Sequence, residues 1–303
     1  MIATFEDLCT HVFVLVDDLY RQVVAPHDHR PGPRSTFTDS EVITVTLVAE
    51  LLGKDTEAPF LAWLRKHHLP LFPQLPERSR FNRRRRQLPE ATNRIRGALM
   101  ERLLRHLAPE ETDLCIIDSL PVPVVGFHHA QGAHRWWGEA TFGYVASKKL
   151  TIYGFKLHLL ITHSGLILDF VLAPAHYTDG TFTEQLLADK RRLTTLGDKA
   201  YLNGPLQAWL AEHNEVILLT PKRANQRQQQ PALLTKAINH FRQAIETVNS
   251  QLALQFGVER NWAKSLFGLG ARIQAKVTAH TIGIYLNCLV GRPLLALADF
   301  MTI

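Results

Sequence analysis

The chain has 303 residues, of which 46% are hydrophobic and 20% charged. That balance is that of a folded domain or two and excludes a disordered or low-complexity chain. The formal net charge is +6 and the isoelectric point about 9.3, a modest excess that favours polyanionic partners without requiring them. Three cysteines, Cys9, Cys115 and Cys288, stand apart in apolar stretches. Free, buried thiols are expected of them, not a zinc site.

The first hundred residues read as helical. Leu8, Val12, Leu15, Val16 and Leu19 have helix periodicity within residues 5–24, and a break follows over residues 26–33. Thr38 and Glu41 have the spacing of a capping box, opening a helix through Val42, Val45, Leu47 and Leu51 that Gly53 can close. Further helices fit residues 59–67 and 90–107. Ten arginines lie between Arg78 and Arg105 against only Glu90 and Glu101, with Arg83, Arg84, Arg85 and Arg86 consecutive. Four adjacent arginines point all round a helix and repel one another without an anion, so this segment is expected to bind nucleic acid.

Strand patterns begin near residue 113. Leu114, Cys115, Ile116 and Ile117 form a compact apolar run that ends in Asp118, as a buried strand does. Residues 126–144, rich in Gly, His and aromatics, read as an insertion within residues 119–149. Residues 150–161 and 166–172 form a hairpin around His163, Ser164 and Gly165. Thr178 or Asp179 can cap a helix through Lys190. Short strands at residues 193–196 and 215–220 flank a helix at 205–212. A polar linker at 226–231 leads to a helix over about 235–256 and a last one over 271–289. The expected architecture is an all-helical domain over residues 1–110 and a mixed α/β domain over 111–303. The apolar stretch at residues 277–290 is interrupted by Thr278, His280, Thr281 and Asn287, too short and too polar to cross a bilayer. Glu6 and Asp7 stand where a secretion signal would be basic, so a cytoplasmic protein is expected.

Three carboxylates fall at telling places. Asp118 and Asp198 each end a strand, and Glu246 lies in the helix after the last strand. Strand ends of an α/β sheet meet where ligands bind. Hard divalent cations such as magnesium prefer carboxylate oxygens, and two of them about 4 Å apart can drive an in-line phosphoryl displacement. Ile238, Phe241, Ile245, Val248 and Leu252 make an apolar stripe on that helix, beside a polar strip of Arg242, Glu246, Asn249 and Ser250. On spacing alone, Arg242 and Glu246 also fit an ordinary surface ion pair, and Asp118 and Asp198 fit turn or capping roles. Lys148, Lys149 and Lys156 flank or lie on the second strand, where phosphate contact and edge protection are equally good readings.

As a set in this order, Ile116-Ile117-Asp118-Ser119, Gly154-Phe155-Lys156-Leu157-His158, Gly197-Asp198-Lys199-Ala200-Tyr201 and Arg242-Gln243-Ala244-Ile245-Glu246 resemble the DDE transposases of bacterial insertion sequences. Residues 271–276 and 283–287 resemble the C-terminal helix of that group. The resemblance covers residues 113–290. It implies an RNase H-like catalytic domain, a metal-binding catalytic triad at Asp118, Asp198 and Glu246, and two Mg2+ ions for which Mn2+ can substitute. It also implies double-stranded DNA as partner and a homodimer on DNA; Arg83, Arg84, Arg85 and Arg86, by their charge, Lys156, by its place on the second strand, and Arg242 are the expected contacts. Asn239 and Ala253 stand where some relatives carry a tyrosine and a lysine. A nuclease without strand transfer and a catalytically inactive DNA-binding regulator are the alternative functions.

Overall fold

In a computed structural model, the protein is described at residues 2, 4–28, 35–221 and 232–301. The expected polar linker at 226–231 lies outside these residues. Helix α1 (Phe5–Val23) starts at a capping box formed by Thr4 and Asp7. Helix α2 (Asp39–Leu51) starts at the expected box, with Thr38 and Glu41 each satisfying the other's backbone amide. Helices α3 (Glu57–His67), α4 (Arg78–Arg85) and α5 (Pro89–Leu104) follow.

The sheet then begins. Strand β1 (Leu114–Val125) is longer than the expected apolar run and continues through Asp118, Pro121 and Pro123. The prolines are tolerated because β5 (Thr194–Leu196) pairs only with Leu114, Cys115 and Ile116, which leaves the rest of that edge of β1 without a neighbour. On its other edge β1 runs antiparallel to β3 (Leu150–Thr162). The far edge of β3 is shared by β2 (Thr141–Val145) and β4 (Ile167–Pro174), one after the other. Strand β6 (Ile217–Leu219) adds parallel to β5. The six strands form one mixed sheet in the order β2, β3, β1, β5, β6, with β4 beside β3, flanked by helices in an RNase H-like arrangement.

The expected insertion is shorter than its bounds, because residues 119–125 belong to β1. What lies between β1 and β2 is a pair of 3-10 turns, Phe127–Gly132 and His134–Trp136. Trp136 is buried against Phe155, while Trp137 is exposed. The helix expected after Thr178 is a 3-10 turn at Asp179–Phe182 leading into α6 (Thr183–Leu187). Helix α7 (Gly204–Asn214) joins β5 to β6.

Two layers enclose the sheet. On one face, Ile117, Leu160, Leu187, Tyr201, Leu210 and Leu218 are buried together. On the other, α8 (Ala232–Ser250) packs against β1, burying Ile238, Ile245 and Val248 of its predicted stripe. Gly154 of β3 permits the close approach of β1, since a Cβ there would collide with the carbonyl of Val122.

Helix α9 (Leu266–Leu289) begins at Ser265, whose hydroxyl accepts from the amide of Gly268. It packs on α5 and α2. The compact units are therefore not divided at residue 110. Residues 1–106, 254–258 and 265–303 form a helical unit, and residues 107–253 with 259–264 form the sheet unit. An apolar helix at the end of a chain buries itself against whichever surface complements it, and sequence order does not name that surface. Among the described residues no helix is long and apolar enough to cross a membrane.

Candidate active site

Parallel pairing sets the first two carboxylates level. Ile116 stands opposite Leu196, so Asp118, within β1, and Asp198, just past the end of β5, lie level two residues beyond the last parallel pair, where the β1–β5 ladder stops. The carboxylate of Asp198 caps the turn behind it, accepting from the amide of Ala200 at 2.7 Å. The carboxylate of Asp118 accepts from Asn249 Nδ2 at 3.1 Å. Asn249 comes from α8, seven residues after Arg242 and three after Glu246, which places all three on the same side of that helix.

The electrostatics are those of a crowded acidic edge. Burial pushes the Asp118 carboxyl up to about 6, helped by the negative charges of Asp198 and Asp179 and opposed by its bond from the Ser119 amide and by Arg242. Two buried polar atoms of α8 beside it lack a protein partner, Arg242 Nε and Asn249 Oδ1. Such atoms in a folded interior call for water or an ion. Oxygen donors crowded in this way suit a hard divalent cation. Glu246 itself is solvent-exposed. Among the described residues no group of three or more His, Cys, Asp or Glu side chains is close enough to hold a metal. The structure thus sets Asp118 and Asp198 level and puts Glu246 on the side of α8 that carries Asn249, without drawing the three to ligand distance.

Two further residues shape this edge. The spacing of Asn249 shows only a place in a polar strip. Asp179 fits a helix cap by sequence, yet its Oδ1 accepts from Ser119 Oγ at 2.8 Å and from Lys156 Nζ at 2.9 Å. Lys156 is accordingly not a free phosphate contact. Its ammonium is largely buried and held by Asp179 and the carbonyl of Tyr177. Lys148 is likewise paired with Glu259 at 2.6 Å.

The arginine run divides in the same manner. Arg84 is tied to Asp39 at 2.6 Å and to the Phe37 carbonyl, and Arg85 reaches Glu57 at 3.4 Å. Both are mostly buried. Arg83 and Arg86 are exposed. They line a surface groove with Ser79, Gln87 and Phe267, and Arg86 lies 5.7 Å from the centre of the Phe267 ring. Cys9 and Cys115 are buried, with thiols pushed up to about 12 by burial, so they stay protonated.

The sequence model of the family described as "Transposase DDE domain" matches residues 108–266. The chain belongs to the DDE transposase family. The match spans β1 to the start of α9 and so contains Asp118, Asp198 and Glu246. No curated protein and no solved structure matches the chain. Membership of the DDE family accounts for a mixed sheet whose parallel strand ends carry acidic residues, and it implies DNA as the substrate.

Proposed function

We propose that this DDE-family protein is a transposase that cuts DNA at the ends of its own insertion element and transfers those ends into target DNA, with Asp118, Asp198 and Glu246 as the catalytic carboxylates. The observation that carries the reading is the level position of Asp118 and Asp198 just beyond the last parallel pair of β1 and β5, with Asn249 of α8 bonded to Asp118. When bound, divalent cations, Mg2+ or Mn2+, would supply an activated oxygen nucleophile and charge stabilisation at phosphorus. The protein's part is to present the donors. Asp118 and Asp198 would hold such ions from the sheet and Glu246 from the helix. Asn249 fixes the orientation of the Asp118 carboxylate, and Arg242 offsets the negative charge when no cation is bound. Holding reactant and carboxylates on a strand–helix frame removes orientational freedom before the reaction starts.

The test is cleavage of a labelled duplex carrying the ends of the element that encodes the chain. Magnesium-dependent nicking at the boundary is expected, with a loss of about 10³-fold or more in Asp198→Asn, since metal-assisted charge stabilisation is worth several kcal/mol. Equal cleavage by both proteins would place the active site elsewhere. Specific binding without cleavage in either cation would favour a regulator instead.

DNA contact is assigned to Arg83 and Arg86, the exposed members of the arginine run, with Phe267 beside them. Each is expected to neutralise one phosphate. Arg83→Ala and Arg86→Ala should each lower the slope of log affinity against log salt by about 1 and weaken binding alike on all sequences. Arg84→Ala should instead reduce stability, because it removes the guanidinium that lies 2.6 Å from the mostly buried Asp39 carboxylate. Unchanged salt slopes in Arg83→Ala and Arg86→Ala would remove the groove from the DNA interface. Two protomers are required if both ends are held in one complex, which sedimentation with end DNA would reveal.

A further inference from the structure

Pairing between β1 and β3 runs without a shift from Cys115 to Pro123, so neighbouring side chains of β1 point to opposite faces of the sheet. Asp118 faces α8. Ser119 therefore faces the other layer, opposite its register partner His158. Lys156, two residues from His158 on β3, shares that face. There the Ser119 hydroxyl and the Lys156 ammonium converge on one oxygen of Asp179.

This second polar cluster is enclosed. His158 is fully buried, the ring of Phe182 lies 5.1 Å from it, and neither of its nitrogens has a protein hydrogen-bond partner. Burial holds it neutral, pushed down to about 4. The Tyr201 side chain is also buried, beside Ser119, and it feels the charges of Asp118, Asp179 and Asp198 together. Lys156 thus puts a positive charge on this face, and Asp179 neutralises it. With Asp179 removed, a largely buried ammonium would stand uncompensated immediately behind the strand that carries Asp118. It would repel a cation bound at that edge, and screening by water there is weak.

We propose that Asp179 is a positioning residue for the cation-binding edge, acting by neutralising Lys156 and by fixing β1 at Ser119. This inference rests on the reading of Asp118 and Asp198 as cation ligands. Its test is a titration of the metal-free protein with Mn2+, following free Mn2+ by electron paramagnetic resonance. Asp179→Ala is expected to raise the Mn2+ dissociation constant at least five-fold. Adding Lys156→Met to that variant is expected to bring it back to within about two-fold of the unaltered protein, a rescue that a merely structural role would not produce. Should Asp179→Ala fail to fold, Asp179→Asn keeps an acceptor for Ser119 and carries the same expectation. Unaltered affinity in the single variant, or no rescue in the double, overturns the proposal. If the unaltered protein binds no Mn2+, or Asp198→Asn binds it as well as the unaltered protein, the carboxylate-edge reading itself fails and takes this inference with it.

Discussion

Asp118→Asn is expected to abolish cation-dependent DNA cleavage and, in the same experiment, to make the metal-free protein more stable. The Asp118 carboxyl, pushed up to about 6 from 3.8, holds a proton in the folded state that the unfolded chain has already released between about pH 4 and pH 6. Stability therefore falls as pH rises through that window, and the cost is fully present above it. A shift of this size corresponds to about 3 kcal/mol. The asparagine is never charged and avoids the cost. Urea unfolding in a chelator should accordingly show Asp118→Asn more stable than the unaltered protein by about 2–3 kcal/mol at pH 8, and by only about 1 kcal/mol at pH 4.5. Comparing the two proteins at each pH matters because His158, pushed down to about 4, acts oppositely. The unfolded chain takes up its proton as pH falls below about 6.5, so that residue destabilises the fold on acidification in both proteins. Equal stability of the two at pH 8 would show that the Asp118 carboxylate is well solvated and the edge is not strained by its charge.

Lys276→Ala should cost the helical unit about 3–5 kcal/mol, since breaking one side of a buried ion pair leaves the other charge without compensation. Lys276 on α9 is 2% exposed and Glu50 on α2 is 8% exposed. Their charged atoms lie 2.6 Å apart, and the ammonium also donates to the carbonyl of Phe256. The paired replacement Glu50→Leu with Lys276→Met should recover most of the loss, because a well-packed apolar pair of similar volume replaces an ion pair nearly without penalty. A loss below about 1 kcal/mol in Lys276→Ala would mean that water reaches the pair.

What the sequence determined by itself was local. The capping box of Thr38 and Glu41 depends on residues three apart, and it forms as its spacing dictates. The apolar run closing in Asp118 and the short run before Asp198 depend on contiguous residues, and both become strands of the sheet. Once those strands are parallel neighbours, the two carboxylates are level without further information. The stripe of Ile238, Ile245 and Val248 likewise fixes which side of α8 is buried, and with it the side on which Arg242, Glu246 and Asn249 stand.

The tertiary structure decided everything that rests on a partner distant in the chain. Four consecutive arginines look alike in sequence. Only Asp39 and Glu57, far upstream, separate Arg84 and Arg85, which are consumed inside the helical unit, from Arg83 and Arg86, which remain free for a polyanion. Asp179 reads as a cap until Ser119 and Lys156, 60 and 23 residues away in the chain, close on its oxygen. Pro121 and Pro123 argue against a strand until β5 ends early and leaves their edge unpaired. The last helix shows its apolar character but not its destination. It returns to α2 and α5 because Glu50 and the apolar surface around it are the complement of Lys276 and its neighbours. Helix and strand signals are carried by near neighbours at fixed periods, whereas charge pairing and face matching are settled only when the chain has brought distant residues within a few ångströms.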